Sequence, residues 1–200
     1  MRMLLAMTTI LLTLAAPTLA FDAPVQGVIE RYKASKPMRI ADVGTLMSIS
    51  ERWCYLEEAG SCSWSDIYLD VSDTGATFEI SNAWDEAFDI AFIDRGEFRE
   101  GRFICETEAD WVPSVRATRR ADGSAIGGRE LAALKAEIAS MQSEDVINCF
   151  DYLYMGSDDP EKTVTLLQRQ YVDDVHEAGR DTLVTVHFDA ESAAALTSRW

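Results

Sequence analysis

The sequence predicts an α+β fold: an antiparallel sheet laid down in two runs of strands, with one long intervening helix and disulfide staples. Three observations predict it. Residues 65–118 alternate apolar and polar side chains in short runs broken by turn residues. Residues 129–141 carry the clearest helical period in the chain, and from residue 147 the strand pattern returns.

Taken in order, "PVQGVIERYKASK" (24–36) sets Val25, Val28, Ile29 and Tyr32 on one helical face, and Pro37 stops it. Residues 42–52 fit helix and strand equally. "SDIYLDV" then alternates Ile67, Leu69 and Val71 against Asp66, Tyr68 and Asp70, which places one set in the core and the other in water. "SDTG" supplies a turn. "ATFEIS" alternates Phe78 and Ile80 against Thr77, Glu79 and Ser81. "AFDIAFI" continues the meander, with "DRGE" as a turn, "FREGRFICE" as the return strand and "PSVRAT" as one more. "RRADGSAIGG" is a loop by its glycines. "RELAALKAEIASM" follows as the long helix, with Leu131, Leu134, Ile138 and Met141 at helical spacing. "INCFDYLYM" reads as a strand. "TVTLLQRQYVDDV" and "TLVTVHF" read as a hairpin around "HEAGRD", in registers that put His187 opposite Gln170 or Val172. "DAESAAALTSRW" ends the chain as a short helix capped by Asp189.

Residues 1–20 have the three parts of an export signal. Arg2 is the positive start, "MLLAMTTILLTLAA" is the apolar run, and Thr18 and Ala20 are the small residues ahead of a cut before Phe21. The remaining 21–200 is expected to form a single exported domain, periplasmic or secreted, with no stable membrane insertion. Without Arg2 the chain carries 17 basic and 34 acidic side chains, a net charge of −17. Such a surface repels nucleic acid and attracts cations or basic proteins.

Export makes disulfides the expected state of Cys54, Cys62, Cys105 and Cys149. No Cys-x-x-Cys redox spacing exists, and the two histidines, His176 and His187, stand far from any cysteine that could share a zinc ion. Proximity pairs Cys54 with Cys62 and Cys105 with Cys149. Constraint of the unfolded chain makes these worth ~2.5 and ~4 kcal/mol respectively. Trp53 and Trp64 flank the short loop and are assigned to core packing around it.

Catalytic motifs are lacking. "GSAIG" (123–127) is not a nucleophile elbow, and neither His-Glu-x-x-His nor a phosphate-cradling glycine loop occurs. The stretch from Asp70 to Gly75 resembles the start of a calcium loop but lacks acids at its third and fifth positions, with Ser81 where the bidentate glutamate belongs. No metal or cofactor is expected. The acid pairs Glu57–Glu58, Asp85–Glu86, Asp158–Asp159 and Asp173–Asp174 read as solvated surface. Arg116, Arg119 and Arg120 cluster ahead of the long helix. They form a candidate anion-binding site, set against simple pairing with the protein's own carboxylates.

Three function classes remain. The first is a non-catalytic binding or inhibitory module for a basic envelope protein, anchored by aromatics such as Tyr55, Trp84, Trp111 and Trp200. The second is a small-molecule or anion carrier using the arginine region, and the third an enzyme with carboxylate chemistry invisible to spacing rules. A flat, strongly negative face with exposed aromatics favours the first class. A deep pocket with convergent polar groups favours the other two.

Export is tested by intact-mass analysis of the protein from its native compartment. A chain beginning at Phe21 is expected; a cytoplasmic form that keeps Met1 would refute the signal.

Overall fold

A computed structural model describes residues 21–107, 110–141 and 147–200; the expected export signal at 1–20 lies outside the described residues. The chain forms, in order, α1 (Ala23–Ile29), β1 (Lys36–Pro37), α2 (Ile40–Ile49), β2 (Arg52–Tyr55), β3 (Ser61–Cys62), β4 (Trp64–Val71) and β5 (Gly75–Ala83). Next come β6 (Phe88–Arg99), β7 (Phe103–Glu106), a 3₁₀ turn (Val112–Ser114), β8 (Arg116–Arg119) and α3 (Gly128–Met141). The chain ends with β9 (Asn148–Asp158), β10 (Thr163–Val172), β11 (Val175–His176), a 3₁₀ turn (Ala178–Arg180), β12 (Thr182–His187), α4 (Ala190–Ala195) and β13 (Thr197–Ser198).

The architecture is a closed eight-stranded antiparallel β-barrel with short helices, which corrects the expected α+β fold. Around the barrel the strands run β9, β7, β6, β5, β4, β2, β12 and β10, and β10 pairs again with β9. The two expected runs of strands are therefore one sheet. They meet at two seams: β7–β9, where Ile104 faces Phe150, and β2–β12, where Trp53 faces Val186 and Tyr55 faces Val184. Local alternation sees hairpins, but each seam joins residues far apart in sequence, which no local pattern can register.

The helices that enter the core are not the expected one. α1 and α2 close one end of the barrel. Their Val25, Val28, Val43, Leu46 and Met47 belong to one buried cluster with the inward Trp53, Val164, Leu166, Val184 and Val186. Close approach of α2 needs Gly44, where an added Cβ would lie 3.3 Å from the Phe98 ring. The long helix α3 buries only Leu134 and Ile138, and Met141 is 63% exposed. It covers the inner face of the β5–β6 hairpin where that hairpin runs past the barrel. There Ile90, Phe92, Val112, Val115 and Ile126 form a second cluster.

Other expectations need local correction. "DRGE" lies inside β6, and the turn comes later, at Glu100 (φ 54°) and Gly101 (φ 66°). The first helix stops at Ile29 rather than running to Pro37. His187 pairs with Thr163 and Arg52, not with Gln170 or Val172, because the β10–β12 hairpin is offset toward the start of β10. The closing helix α4 keeps its expected cap, with Asp189 accepting a hydrogen bond from the Ser192 amide at 3.0 Å.

Cys54 is bonded to Cys62 and Cys105 to Cys149. Both bonds lie on the outside of the barrel, since Trp53 and Tyr55 on either side of Cys54 point in, as do Ile104 and Phe150 beside the second pair. Trp53 is thus core, but on the opposite face from the short bridge, which packs against Leu196. The second bond crosses the β7–β9 seam at a directly facing pair. Cys105→Ser is expected to destabilise more than Cys54→Ser, by ~4 against ~2.5 kcal/mol in denaturant titrations, since it releases the longer loop. Equal losses would refute that ordering.

Candidate functional site

The site begins with a reversal on β4. Alternation assigns Ile67 and Leu69 inward, yet Asp66 and Tyr68 face the barrel interior and Leu69 is 54% exposed. The cause is a bulge. Tyr68 faces Phe78 and Asp70 faces Thr77, so Leu69 is an extra residue with no partner of its own. Each bulge residue shifts the side-chain phase by one. Val71, beyond the bulge, accordingly packs on the core as its pattern predicts, whereas the residues before it are inverted.

The inverted segment helps to line a cavity of about 440 Å³ inside the barrel, away from α1 and α2. Its walls are aromatic: Tyr55, Trp64, Tyr68, Phe78, Phe150 and Tyr152. Tyr55 and Trp64 stack with ring centres 4.7 Å apart. Trp53 supports Tyr68 and Tyr152 edge-on from behind, at 5.2 and 5.5 Å. The polar lining comprises Asp66, Glu106, Gln168, Gln170 and Thr182, with the exposed Arg180 on the 3₁₀ turn before β12.

Asp66 is 5% exposed. Its Oδ2 accepts a hydrogen bond from the Tyr55 hydroxyl at 2.7 Å, while Oδ1 is buried with no partner. Burial pushes the Asp66 carboxyl up to about 7, the nearby charge of Asp94 adds to this, and the Tyr55 bond opposes it. Asp94 and Glu106 are also raised, mainly by burial. Asp94 is held back by the Arg95 amide and Glu106 by Asn148, whose Nδ2 donates to Oε2 at 2.7 Å. Burial raises the phenols of Tyr55, Tyr68 and Tyr152 as well, so all three keep their protons at neutral pH.

The residues singled out from sequence do not meet here. Arg116 pairs with Glu79, Arg119 with Glu130 (2.7 Å) and Arg120 with Asp89, three separate carboxylates. Of the aromatics, Tyr55 is inside the barrel. Trp84 and Trp111 pack on the second cluster, Trp111 stacked on Phe92 at 4.0 Å, and Trp200 is 68% exposed at the chain end. His187 bonds Glu57 at 2.9 Å and His176 bonds Asp181 at 2.8 Å. No group of three or more metal-ligating side chains occurs among the described residues. Sequence reasoning missed Asp66, Asp94 and Glu106, which stand apart in the chain. The available signal was the phase of Asp66 and Tyr68 relative to Leu69, and it is readable only with the bulge known.

Comparisons with protein-family models, with curated proteins and with solved structures find no match.

Because the folded chain holds a proton on Asp66 up to about pH 7 and the unfolded chain releases it near 3.8, folding is favoured at low pH and loses stability progressively as pH rises from 3.8 to about 7. The shift corresponds to a loss on the order of 4 kcal/mol. Asp66→Asn cannot ionise. It is expected to melt close to the wild type at about pH 3.5, to melt higher at about pH 8, and to flatten the curve between them. Parallel melting curves for the two proteins would refute the assignment.

Proposed function

We propose that this is an exported small-molecule-binding protein that holds its ligand inside the barrel. One observation carries the reading: a closed barrel that could have filled its interior instead keeps a cavity of about 440 Å³ with convergent polar groups. Eight strands give an interior that side chains can fill or that can hold one small ligand. The volume falls in the range of ligand sites, and an apolar wall with a few placed polar groups is their usual composition.

Further features support it. The inner rows are mostly apolar or aromatic with a few polar groups at the cavity, while outward positions carry Glu79, Arg95, Glu97 and Arg169. That is the reverse of a barrel whose outer band faces lipid, and it favours one standing in water. No described helix is long and apolar enough to cross a membrane. Two disulfides suit an oxidising compartment. The aromatic anchors of the protein-binding reading are spread between the interior, the second cluster and the chain end. The deep pocket therefore favours a carrier over an inhibitory module, with the barrel replacing the arginine region as its site.

The experiment is titration with a neutral apolar fluorophore, Nile red, followed by its emission and by quenching of Trp64 in the cavity wall. Saturable one-to-one binding is expected, and Ile80→Trp, which fills the cavity, should weaken it at least about tenfold while the protein still melts cooperatively. Absence of binding by the wild type, or binding indifferent to the filled cavity, would remove the reading.

A further inference from the structure

The cavity's hydrogen-bonding groups are unevenly committed. Its amide nitrogens are engaged internally: Gln168 Nε2 donates to the Tyr152 hydroxyl at 3.0 Å, and Gln170 Nε2 to Asn148 Oδ1 at 2.7 Å. Asn148 in turn spends Nδ2 on Glu106, and Tyr55 spends its hydroxyl on Asp66. Among the lining side chains, the fully buried polar atom left without a partner is an acceptor, Asp66 Oδ1, held in a side chain that is 5% exposed. A ligand that completes this site must bring donors.

Charge points the same way. Asp66 and Glu106 line the cavity, and the buried Asp94 lies close enough to act on both. The facing cation is Arg180, exposed at the rim. Tyr55, Tyr68 and Tyr152 are neutral and present ring faces, which attract a cation. Outside, the excess of acidic side chains draws cations toward the protein.

We propose that the barrel binds a small organic cation, a protonated amine on an aromatic or branched hydrocarbon body, with its N–H donors on Asp66 Oδ1 and its charge against the aromatic wall. This rests on the ligand lying inside the barrel. An ammonium group has donors and no acceptor, which matches the site's deficit. Its charge also answers the burial of the carboxylate, since a buried charge is tolerated when paired. Amine binding favours ionised Asp66, so affinity falls as pH drops below about 7. Glu106 and Asp94, both raised by burial, titrate in the same direction, whereas the three tyrosines stay neutral; Arg180 is the cation that faces them from the rim.

The test is displacement of Nile red from the disulfide-bonded protein by 2-phenylethylamine, by its neutral isostere 2-phenylethanol and by the anion 3-phenylpropionate, each at about pH 8 and about pH 5.5. The amine is expected to displace the dye roughly 10- to 100-fold more effectively than the alcohol at the higher pH, with the advantage shrinking at the lower. The anion should be weakest. Asp66→Asn should keep Nile red binding and lose the amine's advantage, with near-ultraviolet circular dichroism checking its fold. If that variant does not fold, the wild-type ranking and its pH dependence decide alone. Nile red binding with the alcohol equal to or better than the amine would overturn the cation and leave the carrier reading standing. An Asp66→Asn protein that still prefers the amine would overturn the role of Asp66. Failure of the dye and all three ligands to bind would overturn both readings together.

Discussion

Closure of the sheet is the constraint on which the rest depends. Once β7 pairs with β9 and β2 with β12, the barrel has no free edge among its eight strands, and every inward side chain is committed to one enclosed volume. That volume must be filled by side chains, capped by other elements or left as a cavity. The protein does all three in sequence along the barrel axis. Valines and Leu166 fill the first part, α1 and α2 cap it, and the aromatic cavity occupies the remainder. Cys105–Cys149 fastens one seam from outside. At the other seam, Cys54 lies on β2 and ties the following loop, over which β13 folds back to pair with β3.

The treatment of buried carboxylates separates architecture from site. Asp151 is wholly buried on the outer face of β9, and it is saturated. Arg169 donates to both its oxygens at 2.7 and 2.6 Å, and Arg102 adds a further bond at 2.6 Å. Asp42 on α2 is held in the same way by Arg31, Arg39 and Tyr32. Those two are structural ties, each burying a charge only with its counter-ions. Asp66 has equal burial, one neutral partner and no cation. Leaving an acceptor empty inside a fold costs stability that a saturated or apolar residue would not. A feature that weakens the folded chain and faces a cavity is where sequence, structure and function part company.

The bulge at Leu69 links these two points. A regular β4 would turn Ile67 and Leu69 inward and close the cavity with aliphatic side chains. One inserted residue turns Asp66 and Tyr68 inward over half the strand and restores Val71 to the core over the rest. The site is therefore produced by a backbone irregularity rather than by a motif. That is consistent with a chain in which no spacing rule finds catalytic or metal chemistry.

The sequence by itself determined the local facts. Strand-forming segments, the turn at Ser72–Thr74, the Asp189 cap and the short Cys54–Cys62 pairing are set by neighbours in the chain, so composition and periodicity carry them, and the choice of that pair leaves Cys105 for Cys149. The inward row of β5, Phe78 and Ile80, was legible for the same reason. Tertiary structure decided the remainder. Whether two runs of strands make one closed sheet depends on pairing between residues such as Ile104 and Phe150, or Trp53 and Val186, that share no local pattern. The amphipathic period of α3 showed that it would pack, but not that it would cover a hairpin while the less regular α2 took the core. Asp66, Asp94 and Glu106 come from three different strands, and their convergence exists only after closure, because hydrophobic alternation reports which face is apolar and not which face is inside.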